Sequence, residues 1–223
     1  MQKFDTPAPI SVALDVPAGR VRFIAADRAD TVVEVLPADA AKGRDVKAAE
    51  QVEVEYGDGV LCIEAPEGKS RVLGPSGSIE VTVRLPAGSR VEAKVAAAEF
   101  RAVGRLGDIA VEGAYGSIKL DEAASARVTA AAGDVSVGRL TGPAEISTGK
   151  GDIRIAEAVR GTVVLRTEAG EVSVGAAAGV SASLDAGTSY GRIRNALKNT
   201  EGADAQLGIH ATTGYGDIVA RSL

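Results

Sequence analysis

A five-residue phrase, glycine–polar–(Ile/Val)–polar–aliphatic, recurs along the chain and limits what it can fold into. Its copies are Gly77-Ser78-Ile79-Glu80-Val81, Gly107-Asp108-Ile109-Ala110-Val111, Gly116-Ser117-Ile118-Lys119-Leu120, Gly133-Asp134-Val135-Ser136-Val137, Gly151-Asp152-Ile153-Arg154-Ile155 and Gly170-Glu171-Val172-Ser173-Val174. Two looser copies follow, Gly191-Arg192-Ile193-Arg194-Asn195 and Gly216-Asp217-Ile218-Val219-Ala220. Alternation of polar and apolar residues is the period of a strand with one buried face. A leading glycine suits a corner where φ is positive or a second backbone passes close. From Gly107 onward the glycines are 9, 17, 18, 19, 21 and 25 residues apart. The 9 is half of 18, so Gly107 and Gly116 mark two sides of one coil.

Between the glycine-led segments lie second apolar stretches: Arg127–Thr129, Ala144–Ser147, Thr162–Arg166 and Val180–Leu184. Each coil then carries two short strands. One such coil cannot offset the backbone entropy lost in ordering it with only a few inward aliphatic side chains. Stacked coils share one aliphatic column and bond to neighbours above and below. The expected fold is therefore all-β, a parallel β-solenoid or β-helix-like stack of coils of about 18–20 residues each. Aromatics are scarce, with three Phe, four Tyr and no Trp, so Val, Ile, Leu and Ala must fill the interior.

The first third is β-rich but irregular. Strands are expected over Ile10–Val16, Arg20–Ala26, Thr31–Leu36, Val52–Tyr56 and Val60–Glu64, with a hairpin turn at Tyr56-Gly57-Asp58-Gly59. A short helix is expected over Asp45–Gln51 and a flexible loop over Gly68–Gly77. Val16-Pro17-Ala18-Gly19 and Leu85-Pro86-Ala87-Gly88 read as matching turns. Residues 1–75 are expected to form an irregular cap on a strand-repeat region of residues 76–223, in one continuous domain.

Later glycines share an approach: Thr148-Gly149-Lys150-Gly151-Asp152-Ile153, Thr167-Glu168-Ala169-Gly170-Glu171-Val172, Thr188-Ser189-Tyr190-Gly191-Arg192-Ile193 and Thr213-Gly214-Tyr215-Gly216-Asp217-Ile218. Thr and Asp bond local backbone groups and serve turns well. Here the chain resembles the bacterial strand-repeat family of unknown function labelled "putative adhesin", over most of its length and most strongly from Gly107 to Leu223. The resemblance implies a right-handed parallel β-solenoid-like fold with no established activity.

The net charge of −5 comes without a basic block, so neither nucleic acid nor an anionic membrane is an expected partner. Cys62 is the lone cysteine, which suits a reducing compartment. The segment Met1–Pro7 has no basic stretch leading into an apolar one, so a cytoplasmic location is expected.

Candidate sites are few. Asp108, Asp134, Asp152, Glu171 and Asp217 recur in one position and suggest a carboxylate ladder for Ca²⁺ or sugar chemistry. Ser117 and Arg192 interrupt the series, and the nine-residue Ca²⁺ roll repeat is missing, so turn chemistry is the expected role. His210 is the only histidine and has no nucleophile-elbow context; one His with one Cys cannot make a usual zinc site. No catalytic, cofactor or metal residue is assigned. Tyr115, Tyr190 and Tyr215 each precede an anchor glycine, and the insertion Asn195–Gln206 carries Asn199 and Glu201. Together with His210 these residues form the expected interaction surface. The expected function is a non-enzymatic scaffold or interaction protein, self-associating through an open C-terminal end of the solenoid. A carbohydrate-active β-helix enzyme and an exported surface adhesin are the rival readings.

Overall fold

The computed structural model describes residues 1–65 and 77–223. Among them the chain is all-β apart from one short helix and one 3₁₀ turn, Gly202–Asp204. It forms two compact units, Met1–Gly116 and Ser117–Leu223.

The first unit is organised by β2 (Ser11–Ala26), whose inward residues are Val12, Leu14 and Val16 before a corner and Val21, Phe23 and Ala25 after it. The inward face changes parity at Pro17-Ala18-Gly19, where Gly19 takes φ +134° and re-aims the strand. The first arm lies between β5 (Val60–Glu64) and the start of β7 (Arg90–Tyr115); the second lies between β6 (Ile79–Pro86) and the middle of β7. All four pairings are parallel. Antiparallel strands finish this side: β3 (Asp30–Pro37) on β6, β1 (Gln2–Asp5) on β3, and β4 (Glu53–Gly57) on β5. The β4–β5 turn puts Asp58 at φ +50° and Gly59 at φ +77°, the signs of a two-residue type I′ hairpin. Helix α1 (Gly43–Glu50) packs on β3 and β6, and its buried Asp45 accepts the Ser78 amide at 3.0 Å. Phe23 and Phe100 tilt against each other, 5.6 Å apart, within the aliphatic interior.

The expected N-terminal strands, hairpin and helix are present, with Ile10–Val16 and Arg20–Ala26 joined as one bent strand. Residues 68–76 of the expected loop lie outside the described residues. The two matching proline phrases are not equivalent in space. Val16–Gly19 is a corner inside β2, whereas Leu85–Gly88 ends β6, and Leu85-Pro86 pairs with Ala25-Ala26 at the C-terminal end of β2.

Asp30 ties β1 to β3, meeting Lys3 Nζ at 3.0 Å and Arg28 Nη2 at 2.8 Å. Hydrogen bonds from Lys3 and then Arg28 hold its carboxyl below the usual carboxylate value. A lowered folded value means stabilisation that is present above the unfolded pKa near 3.8 and is lost as pH falls through the folded one. Asp30→Asn should therefore flatten the acid limb of stability and leave its shape at neutral pH unchanged. Urea melts at pH 7, 4 and 3 measure this directly.

The second unit holds two columns of parallel strands. The glycine-led column runs from the first part of β8 (Ile118–Ala132) through β9 (Val135–Leu140), β11 (Ile153–Ala158) and β13 (Val172–Ala176). The other runs from the second part of β8 through β10 (Ala144–Lys150) to β12 (Gly161–Ala169). Registers match the glycine spacing: Ile118 pairs with Val135, Val135 with Ile153 and Ile153 with Val172. The inward residues Ile118, Val135, Ile153 and Val172 in one column and Val128, Ile146 and Leu165 in the other are buried.

After β13 the sequential order breaks. The next coil, β14 (Ala182–Tyr190) with β15 (Ile193–Ala196), does not stack on β12–β13. The last coil, β16 (Leu207–Tyr215) with β17 (Ile218–Ser222), takes that place: Val163 pairs with Ile209 and Val172 with Ile218. β14 and β15 then add to its far side, with Leu184 beside Ile209 and Ile193 beside Ile218. The expectation of an open C-terminal end is corrected: the C-terminal coil has neighbours on both sides, and among the described residues the edge belongs to β14–β15. Side-chain chemistry fits this order. An inner coil buries Ile218 and Ala220, both 1 % exposed, whereas the looser coil carries Asn195 in the same row as Ala220. An amide buried there without partners would be costly.

The extra residues of the longest glycine spacing, 197–206, carry the chain across the edge coil. Ser181, 2 % exposed, pins them: its hydroxyl accepts the amides of Thr200 and Glu201, both at 3.1 Å, and donates to Asn199 Oδ1 at 3.2 Å. Ser181→Ala leaves two amides without that acceptor, and a loss of roughly 1–3 kcal/mol is expected from chemical denaturation. Amide exchange should accelerate first at residues 199–202.

Candidate interaction surface

The Thr–x–x–Gly–acid phrase proves to be an interlock between coils. Four anchor glycines of the second unit lie over the carbonyl of the anchor in the adjacent coil: Gly151 over Gly133, Gly170 over Gly151, Gly216 over Gly170 and Gly191 over Gly216. A Cβ has no room there, and most of these residues have positive φ, including Gly151 at +143°. The threonine three residues before the glycine donates its hydroxyl to the same carbonyl. Thr148 reaches Gly133 O at 3.3 Å, Thr167 reaches Gly151 O at 3.0 Å, Thr213 reaches Gly170 O at 3.0 Å and Thr188 reaches Gly216 O at 3.1 Å.

The acid after the glycine works in the other direction. Asp134 accepts the amide of Asp152 at 2.9 Å, Asp152 that of Glu171 at 2.7 Å, and Asp217 that of Arg192 at 2.9 Å. These carboxylates hold the next coil by backbone amides, the turn role expected of them. Among the described residues no cluster of three or more His, Cys, Asp or Glu is placed to hold a metal ion. Every link names the same spatial order as the strand pairings, with the 216 coil inside the 191 coil.

Of the expected surface residues, the structure brings Tyr190 and Tyr215 together. Their rings stack at 4.9 Å between centroids and 3° between planes, and both stand mostly in solvent, 67 % and 63 % exposed. They pair in register across β14 and β16, and the next residue in that row is Ala169, which leaves the rings clear on that side. They lie outside the aliphatic column. Tyr115 ends β7 in the first unit and is exposed alike.

His210 pairs in register with Asp185 and its Nδ1 lies 3.3 Å from Asp185 Oδ2, on the outward face of the same two strands. The pair is ionic only when the imidazole is protonated. Asn199 is exposed and braces the crossover: its Oδ1 accepts the Gly202 amide at 2.7 Å and its Nδ2 donates to Gly202 O at 3.2 Å. Glu201 is exposed and accepts from Gln206 Nε2 at 3.4 Å. Tyr190, Tyr215, Asp185 and His210 thus share the β14–β16 edge of the second unit, and Asn199 and Glu201 belong to the loop that crosses it.

Apart from Tyr190, the exposed residues of the edge coil were not anticipated. Ile193 is 45 % exposed, while Ile118, Ile153 and Ile218 at the same motif position are at most 2 % exposed. Leu184 and Ala186 are half-buried where their neighbours in register, Ile209 and Ala211, are buried. The signal lay in the motif: Asn195 stands where the other copies have an aliphatic residue, and Arg192 where most have an acid.

No described helix is long and apolar enough to cross a membrane. No curated protein matches the chain. Among solved structures, a "putative adhesin" of Parabacteroides distasonis is 13 % identical with a TM-score of 0.50, over 98 % of this chain and 95 % of that one. A "putative adhesin" of Bacteroides fragilis is 12 % identical with a TM-score of 0.48, also over 98 % and 95 %. A "putative cell adhesion protein" of Clostridium sporogenes is 13 % identical with a TM-score of 0.41, over 100 % and 98 %. At such identities the Parabacteroides likeness speaks for the fold alone. The family model described as Toastrack DUF4097 matches residues 11–222, nearly the whole chain. The chain belongs to the Toastrack DUF4097 family.

Proposed function

We propose that this protein is a non-enzymatic, adhesin-like interaction module, a β-solenoid that recognises a protein partner through the edge coil β14–β15 and the tyrosine pair beside it. The observation that carries this reading is the exposed end of the aliphatic column. Ile193 is exposed there and Leu184 and Ala186 are only half-buried, next to two coplanar tyrosine rings. Tyrosine offers a large amphipathic contact at low entropic cost and is enriched in binding surfaces. The recurrent acids support the same reading, since Asp134, Asp152 and Asp217 each accept a backbone amide of the adjacent coil.

The test is capture of partners from the native host by the full chain, compared with Tyr190→Ser/Tyr215→Ser. Binding of the captured partner should weaken about tenfold or more in the variant. Equal binding by both proteins would remove the edge from consideration. Specific turnover of acidic polysaccharides, with or without Ca²⁺, would overturn the non-enzymatic part.

A further inference from the structure

We propose that the partner of the edge coil is a second copy of this chain, with the basic edge of β15 in one copy pairing with the acidic edge of β4 in the other. This rests on the interaction-module reading and names the strands that meet. Among the described residues β15 has one neighbour, β17, and β4 has one neighbour, β5. Each leaves a row of backbone donors and acceptors open, the ordinary template for adding a strand.

The two edges carry opposite charge. Arg192, Arg194 and Lys198 flank or lie in β15, and none forms an ion pair among the described residues. Glu53, Glu55 and Asp58 flank or lie in β4 and are likewise exposed and without an ion pair there. Pairing β15 with β15 sets arginine against arginine, and pairing β4 with β4 sets glutamate against glutamate. Like charges opposite one another oppose pairing, so charge selects the unlike combination.

The side-chain pattern agrees. In β4 the exposed Glu53 and Glu55 alternate with the half-buried Val54 and Tyr56. In β15, Ile193 and Asn195 lie in the rows of the buried Ile218 and Ala220, while Arg194 shares a row with Val219. One register places Ile193 beside the Val54 and Tyr56 row and Arg192 and Arg194 beside Glu53 and Glu55. A slip of one residue reverses every side chain and sets arginine against the apolar row. Because the two surfaces differ, the contact is heterologous and can repeat from copy to copy.

Sedimentation velocity of the full chain tests this. Association should rise with protein concentration at low ionic strength and weaken about tenfold or more in salt near 0.5 M. Arg192→Glu/Arg194→Glu alone and Glu53→Arg/Glu55→Arg alone should each weaken it by about as much, while an equimolar mixture of the two regains it, because each supplies the edge complementary to the other. Thermal melts show whether each variant is folded; should a double change lower the melt, Arg194→Glu and Glu55→Arg carry the same comparison. A wild-type chain that stays monomeric throughout overturns the proposal, as does a loss confined to the β15 variant, which points to a like-with-like contact or another acidic strand. A mixture that fails to regain association overturns it too. A monomeric chain whose partner binding still falls on Tyr190→Ser/Tyr215→Ser would reject self-association and leave the interaction module standing.

Discussion

Gly151→Ala is expected to destabilise the protein by roughly 3–5 kcal/mol, far more than adding one methyl group to a strand surface. Two costs combine. The residue has φ +143°, a backbone region that side chains with a Cβ rarely adopt, and the new Cβ would lie against the Gly133 carbonyl. That carbonyl cannot move freely, because it also accepts the Thr148 hydroxyl at 3.3 Å. The damage should spread along the stack, since each coil is held by its neighbours. Gly187→Ala is the control: it lies in β14, has nothing within 4 Å of its would-be Cβ, and should change stability by less than about 0.5 kcal/mol. Urea melts of both variants measure the difference, and equal effects would remove the interlock as the basis of the glycine repeat.

A second comparison tests the order of the coils. Ile153 and Ile193 occupy the same place in the repeated phrase, so sequence alone assigns them the same role. Ile153 is fully buried between Val135 and Val172, whereas Ile193 is 45 % exposed with Ile218 on one side only. Truncating Ile153 to Ala removes buried methyl groups and leaves a cavity that a column held on both sides cannot close. A loss of about 2–5 kcal/mol is expected. Ile193→Ala should cost less than about 1 kcal/mol, because water already reaches the site. Amide exchange should follow the same order, fastest in β14 and β15 and slower in β16 and β17 despite their place at the chain end. Equal losses at the two positions would contradict the insertion of the last coil.

These expectations separate two kinds of information in the chain. The period of the glycines, the alternation of Ile and Val with polar residues, and the Thr and Asp around each corner were legible because each acts locally or on an identical neighbour. A threonine hydroxyl, a glycine without Cβ and a carboxylate that accepts an amide work the same way in every coil, so repetition reveals them. The hairpin at Asp58-Gly59 was legible for the same local reason. The open edge was not. Parallel strands bond through identical backbone groups, so the strand led by Gly216 fits equally well on the coil 25 residues before it or 46 residues before it. Sequential stacking was the simpler assumption, and the chain departs from it.

The amino-acid order by itself determined an all-β chain of stacked coils and the chemistry of their corners, because those follow from period and from single-residue conformational preference. Only the tertiary structure decided which coil ends the second unit, and with it which residues meet solvent. That choice turns on a sum over the whole column: Ile218 and Ala220 gain from being covered on both sides, while Asn195, Arg194 and Arg192 keep their water at the edge.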